Sequence, residues 1–290
     1  MRDGWYGFFM TRTYRYDSLT EFVDQAASTK MDVRGEGWAK SAYRTEFCLS
    51  ASMPDAIRLS AGWAEGVEKM EKCRTAVSQG VLAARQAVRM REMGPGALSM
   101  GPYLAGHPQP YATLHDTSLY RPKRGGKIVK IMLNIVASGG IGTDKLIQRG
   151  AGVTALIDGL ERSGRRVELV VACANGGGFG RREISPPLLH FVTVKRPDQP
   201  LNLPVIAFAA SHPSMLRRFI FSLMEQMDES ERSLFGVGGG YGSCIEVPAS
   251  FRQDSIYVGK MMYRDPNFET VDSTRQWVRD QLEAQGVIIK

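Results

Sequence analysis

Apolar and polar positions change rhythm along this chain, and the clearest change lies between Lys127 and Cys173. Lys127 to Ala137 reads Lys-Ile-Val-Lys-Ile-Met-Leu-Asn-Ile-Val-Ala, a nearly unbroken apolar and β-branched run. Such a run predicts a strand buried on both faces of a sheet. Ser138-Gly139-Gly140-Ile141-Gly142 breaks it. Thr143 is placed to cap the helix that follows, with Asp144 in its first turn, where the helix dipole favours negative charge. Leu146, Ile147, Val153, Leu156, Ile157 and Leu160 then share one helical face, and Gly164 stands where a C-terminal cap is expected. Arg166 to Cys173 is a second strand-type run. Strand, helix and strand in this order predict a parallel pair with a right-handed crossover.

The flanking segments carry weaker patterns. Trp5 to Tyr16 alternates aromatics with small or polar residues and reads as a strand. Ser18-Leu19-Thr20-Glu21 is a capping box that opens a short helix ending near Ala27. Ser52, with Pro54 in the first turn, starts a helical block whose pattern runs to about Ser78, with a further helical stretch to Met93. Gly94 to Arg124 is rich in Gly and Pro and reads as a long irregular connection. It divides the chain into an amino-terminal segment, 1–124, and a sheet domain, 125–290. Beyond the core unit, Asn175 to Glu183 is a glycine-rich loop and Leu189 to Val194 a third strand. Leu203 to Ala210 fits another strand. Ser211-His212-Pro213 opens a helix from Ser214 to about Met227, with Met215, Leu216, Phe219, Ile220, Leu223 and Met224 inward. Ser243 to Pro248 and Asp254 to Gly259 are strands, and Asp272 to Gln285 is a closing helix with Trp277, Val278 and Leu282 inward. The fold class is α/β: a mostly parallel sheet flanked by helices, with an amino-terminal mixed, largely helical segment.

Composition narrows the picture only modestly. At 290 residues, 43% hydrophobic and 23% charged, the chain can bury a core without disulfide staples. Cys48, Cys73, Cys173 and Cys244 are isolated and read as reduced thiols of a cytosolic protein. Trp5 to Met10 is too short for a membrane span or a secretory core. The net charge of +7 and pI near 9.3 allow acidic partners, without the density of a DNA-coating protein.

The turn Asn134 to Gly140 ends the first core strand, at the edge where open α/β sheets bind ligands. Asn134, Ser138, Gly139 and Gly140 are therefore candidate ligand-edge residues. Strand, Ser/Gly turn, helix and a Val-Glu-Leu-Val-Val strand together resemble a von Willebrand factor A-type domain. In that family the turn reads Asp-x-Ser-x-Ser and helps hold a divalent metal. Here Asn134 replaces the acid and Val136 the middle serine, and Ser138 alone fits. The resemblance therefore implies the fold without the metal. Tyr103 to Pro108, Arg149-Gly150-Ala151, Leu156-Ile157-Asp158, Gly164 to Leu169, His212 to Arg218 and Trp277-Val278 are similar to a family of phage and bacterial proteins. That resemblance implies a phage or mobile-element setting and attaches no chemistry.

Gly236 to Ser243 is the densest glycine run, but it matches neither Walker A nor Gly-x-Gly-x-x-Gly. His107, His115, His190 and His212 lack zinc spacing, so no metal or cofactor is expected. Basic clusters lie at Arg121-Pro-Lys123-Arg124, Arg165-Arg166, Arg181-Arg182, Lys195-Arg196 and Arg217-Arg218, some near aromatics. Basic residues interleaved with aromatics suit single-stranded nucleic acid. The sequence thus points to a non-enzymatic interaction protein of phage or mobile-element origin in the host cytoplasm, a cofactor in transcription or replication. Single-stranded nucleic acid is the expected partner, with Arg121, Lys123, Arg124, Arg181 and Arg182 on the contact surface. A scaffold that recognises another phage protein is the first alternative. An enzyme acting on a phosphate-bearing substrate is the second.

Overall fold

The computed structural model describes residues 11–28, 45–71, 75, 86–91, 97–116, 127–176, 186–237 and 241–287. Strand β1 (Arg12–Tyr16) and helix α1 (Leu19–Ala27) come first. Helices α2 (Thr45–Cys48) and α3 (Met53–Ser60) follow, then a helical run over 64–71. Strands β2 (Gln86–Arg91) and β3 (Ala97–Leu98), helix α4 (Met100–Leu104) and strand β4 (Tyr111–Asp116) come next. The centre comprises β5 (Ile128–Asn134), α5 (Thr143–Arg162), β6 (Arg166–Gly176) and β7 (Leu188–Lys195). Helix α6 (Leu203–Ser211) leads into a π-helical stretch, Met215–Ile220, then α7 (Phe221–Gln226) and α8 (Glu229–Leu234). Strand β8 (Ser243–Cys244), a 3-10 turn (Ala249–Phe251), β9 (Ser255–Val258) and α9 (Val271–Ala284) complete the chain.

The main sheet runs β1-β7-β6-β5-β9, with β8 beside the far end of β6. It is an α/β sheet of mixed direction. β5 pairs parallel with both β6 and β9, and β1 pairs parallel with β7, but β7 and β8 are antiparallel to β6. The predicted crossover unit is therefore present, with Ile128 opposite Arg166 and Asn134 opposite Ala172. A small antiparallel sheet, β2-β4-β3, stands apart from it.

The two faces of the main sheet are unequal. Val129, Ile131, Leu133, Val167, Leu169, Val171, Leu188, Val192 and Val258 share one core with residues of α1, α3, α5, α6, α7 and α9. Alternate residues Met132, Val170, Ala172, Ala174, Leu189 and Phe191 point the other way, as the two-residue strand period requires. There they meet Ile245, Val247, Phe251 and Tyr257. Helix α5 is buried all round from Arg149 to Leu160. Gly150 permits this, because a Cβ there would lie 1.7 Å from Ser211 Oγ of α6.

Several expectations change. Thr143 is the first residue of α5 rather than its cap, which is Gly142 without a side-chain bond. The Ser52 cap and Pro54 are as expected, but the helix breaks at Gly62 and Trp63. Trp63 N donates to Pro204 O, and its indole lies over Gly66, where a Cβ would sit 2.0 Å from the ring. The further helix toward Met93 is instead strand β2. The supposedly irregular 94–124 stretch holds β3, α4 and β4. Leu203 to Ala210 is helical: Asn202 caps it, Pro204 sits in its first turn, and residues from Ile206 to Ser211 are buried. An apolar run that is buried on every side carries no period to separate helix from strand. In the first capping box Ser18 accepts from Glu21 N as predicted, while the Glu21 carboxylate accepts from Asp17 N.

Candidate functional site

Asn134 ends β5 at the carboxyl edge and is fully buried. Its Nδ2 donates to Ile245 O at 2.9 Å and to Tyr257 Oη at 3.3 Å, and its Oδ1 accepts from Val136 N. The side chain is therefore spent on tying β5 to the 245–257 segment. Ser138, Gly139 and Gly140 are exposed in the following turn, which Ile141 N closes onto Ser138 O. The four ligand-edge residues do not converge: one is internal and three face solvent. Beside the turn, Tyr263 is 69% exposed with the Lys145 ammonium 5.1 Å from its ring centroid.

Tyr257 continues the Asn134 network. Its hydroxyl donates to Glu246 Oε2 at 2.6 Å and accepts from Val247 N at 2.9 Å. Burial raises the phenol's pKa, and the Glu246 bond adds to the shift. Lys260 Nζ closes the cluster on Cys244 O. Among the described residues no group of three or more His, Cys, Asp or Glu could hold a metal ion, and no helix is long and apolar enough to cross a membrane.

On the helix side of the edge stand arginines that are not surface residues. Arg149 Nη2 donates to Asn134 O at 2.7 Å, Val258 O at 3.4 Å and Gly259 O. Arg217 reaches Phe47 O and Ile141 O, and its guanidinium lies 4.0 Å from the Phe47 ring centroid. Arg218 holds Ser50 through its hydroxyl and carbonyl. Ser214 Oγ donates to Cys48 O. Arg217, Arg218 and Ser214 thus take up the carbonyls of Phe47, Ser50 and Cys48 where α2 ends and Leu49 adopts a left-handed φ of 55°. Such carbonyls would otherwise be buried without partners. His212 Nδ1 accepts from Ser214 N, as its place at the helix start suggests.

In each of the other described basic pairs one member is engaged internally, while its neighbour, Arg166 or Arg196, is exposed. Arg165 binds Gln285 O and Ser163 Oγ. Lys195 is buried against Glu161 at 2.6 Å. Arg121, Lys123, Arg124, Arg181 and Arg182 lie outside the described residues.

Two further cations near solvent, Arg15 and Arg252, lie on the sheet face opposite the helices. Arg15 is exposed, with its guanidinium 4.8 Å from the Phe191 centroid and 5.9 Å from that of Phe251. Those two rings stack at 5.6 Å. Arg252 lies 4.5 Å over Tyr257. Strand alternation puts Lys130 and Ile128 on this face too, and Ile128 is 58% exposed. Glu168 and Glu246 bring negative charge to it, Glu246 through its bond to the Tyr257 hydroxyl. Sequence reasoning missed Arg15 and Arg252 because neither sits in a cluster. It could have flagged Arg149, which interrupts the apolar stripe between Leu146 and Val153. Arg217 and Arg218 gave no such signal, since they fall off that helix's apolar stripe.

Comparison with the curated proteins and with the solved structures finds no match. A family described as a domain of unknown function (DUF7192) matches residues 10–289. That span is nearly the whole chain, so the chain belongs to the DUF7192 family.

Proposed function

We propose that this chain is a non-enzymatic interaction protein that binds single-stranded nucleic acid on the sheet face opposite its helices. The supporting observation is the pairing of Arg15 with Phe191 and Phe251, and of Arg252 with Tyr257, on one partly open face. A guanidinium held over a ring offers both a charge for phosphate and a planar surface for a base. Lys130 and Ile128 extend the same face toward the amino ends of the strands. A phage or mobile-element setting in a host cytoplasm, implied by resemblance, belongs to this reading. So does a von Willebrand A-like fold without its metal, supported by the β5-turn-α5-β6 order and by the full internal use of Asn134.

Fluorescence anisotropy with a labelled oligonucleotide across a salt series tests this. Binding should weaken as salt rises, because each phosphate contact releases counterions. Replacing Arg15 and Arg252 by Ala should reduce the log–log salt slope by about 2. No binding at low salt, or a slope unchanged in the double variant, removes the proposal. The scaffold reading draws on a different place, the exposed Met262 and Tyr263 beside Ser138 to Gly140. Loss of a co-purifying phage partner in Tyr263→Ala, with oligonucleotide binding intact, would favour it.

A further inference from the structure

A partly open cavity lies at the carboxyl edge on the helix side, away from the proposed nucleic-acid face. Ile135, Leu146, Arg149, Ser211, Met215 and Arg217 are among its walls, and its volume is about 20 Å³. Three elements meet there: the end of β5, the early turns of α5, and the junction of α6 with the π-helical stretch. Carboxyl edges of parallel strands are where α/β sheets take ligands, and π-helical turns recur at functional sites.

The charge balance of the walls is unusual. Arg149 and Arg217 are each 3% exposed. The described hydrogen-bond partners of both are main-chain carbonyls, Arg217 also lies on the Phe47 ring, and among the described residues neither has a carboxylate within ion-pair distance. Arg149 Nε has no partner. Asp265 and Glu246 act on Arg149 only through space. Burial brings Arg149 down to about 10 and lowers Arg217 too, and a guanidinium stays protonated in proteins at neutral pH. Buried cations without an anion are costly, and carbonyl dipoles offset only part of that cost.

We propose that this cavity is an anion site that takes a phosphate-type oxyanion between the Arg149 and Arg217 guanidiniums. The enclosed space fits one oxygen-sized group, so one phosphate oxygen enters while the remainder stays in the mouth. Guanidinium forks match oxyanions in shape as well as in charge. The site stands independently of the nucleic-acid face. Its source is either the free ion or a phosphate monoester, since the two share the chemistry the walls would read.

Isothermal titration of the full chain with inorganic phosphate, at fixed ionic strength, tests the proposal. One saturable site per chain is expected, with Kd on the order of 1 mM or tighter. Adenosine monophosphate run in parallel separates the sources: tighter binding than phosphate marks a monoester, and equal or weaker binding marks the free ion. Arg217→Lys keeps the charge and loses the fork, so affinity should fall about tenfold with circular dichroism unchanged. Should that variant fail to fold, Ala210→Leu fills the cavity from a wall position and should abolish the phosphate heat. Absence of a saturable signal from either probe, beyond a chloride control, overturns the proposal. Unchanged phosphate affinity in a folded variant overturns it as well.

Discussion

The two faces of the main sheet use the same residue types to opposite ends. On the helix-covered face, arginine is a structural part: Arg149, Arg217 and Arg218 bind carbonyls that loops and helix ends leave open. On the opposite face, Arg15 and Arg252 rest on aromatic rings near solvent. A count of basic residues therefore says little about partners in this chain. What matters is which guanidiniums remain after the fold has used its share. The net charge of +7 overstates what is free to meet a phosphate.

The contrast can be broken most severely from the helix side. Phe219 is fully buried and meets Phe22 and Phe208 edge-on or tilted. Phe219→Ala should cost about 3–5 kcal/mol in urea unfolding and leave any oligonucleotide contact intact in the folded fraction. A loss under about 1 kcal/mol would mean that this face is less tightly packed than described.

Acid gives the next largest effect and acts on the same side. His190 is buried, neither ring nitrogen has a partner, and Tyr14 stacks on it at 4.9 Å. Burial pushes its pKa down from 6.5 to about 4. The unfolded chain therefore takes up this proton before the folded one does. Stability is complete above pH about 6.5 and falls as pH drops toward 4, by up to about 3 kcal/mol from this residue. His212, lowered by burial to about 4, acts in the same direction. Denaturant midpoints at pH 7 and pH 5 check the slope, and His190→Phe should flatten it by the His190 share.

The smallest effect on stability belongs to the other face. Arg15→Ala removes an exposed cation over two rings and should cost at most about 1 kcal/mol. Its consequence should appear in oligonucleotide affinity at low salt instead. A variant that unfolds the protein and leaves binding untouched would erase the division of labour between the faces.

Much of the centre was legible because its residues obey a period. The β5-α5-β6 unit, the closing helix and the Ser52 cap all follow from local spacing that tertiary contacts reinforce. Elements buried on every side were not. Leu203 to Ser211 shows no polar stripe, so length and apolarity fit a strand as well as a helix. Strand direction at β7 was equally hidden, since nothing in Leu188 to Lys195 reports that it turns back antiparallel on β6. The candidate surface was harder still. Clusters such as Arg217-Arg218 attract attention in a sequence, whereas Arg15 acquires its neighbours only when β1 lies beside β7 and Phe251 closes over the same face.

The position of β1 also bears on how the molecule is made. Arg12 can meet Leu188 only after the ribosome has passed both of them. Until then β1 has no edge to join, and Tyr16 and Phe22 have each other but lack His190 and Phe219, which lie far along the chain. A pairing so remote along the chain is a slow event in folding. The nascent polypeptide must therefore carry this apolar segment in the open until Leu188 to Val192 have emerged, a window in which chaperone holding or premature self-association would compete with completion of the sheet.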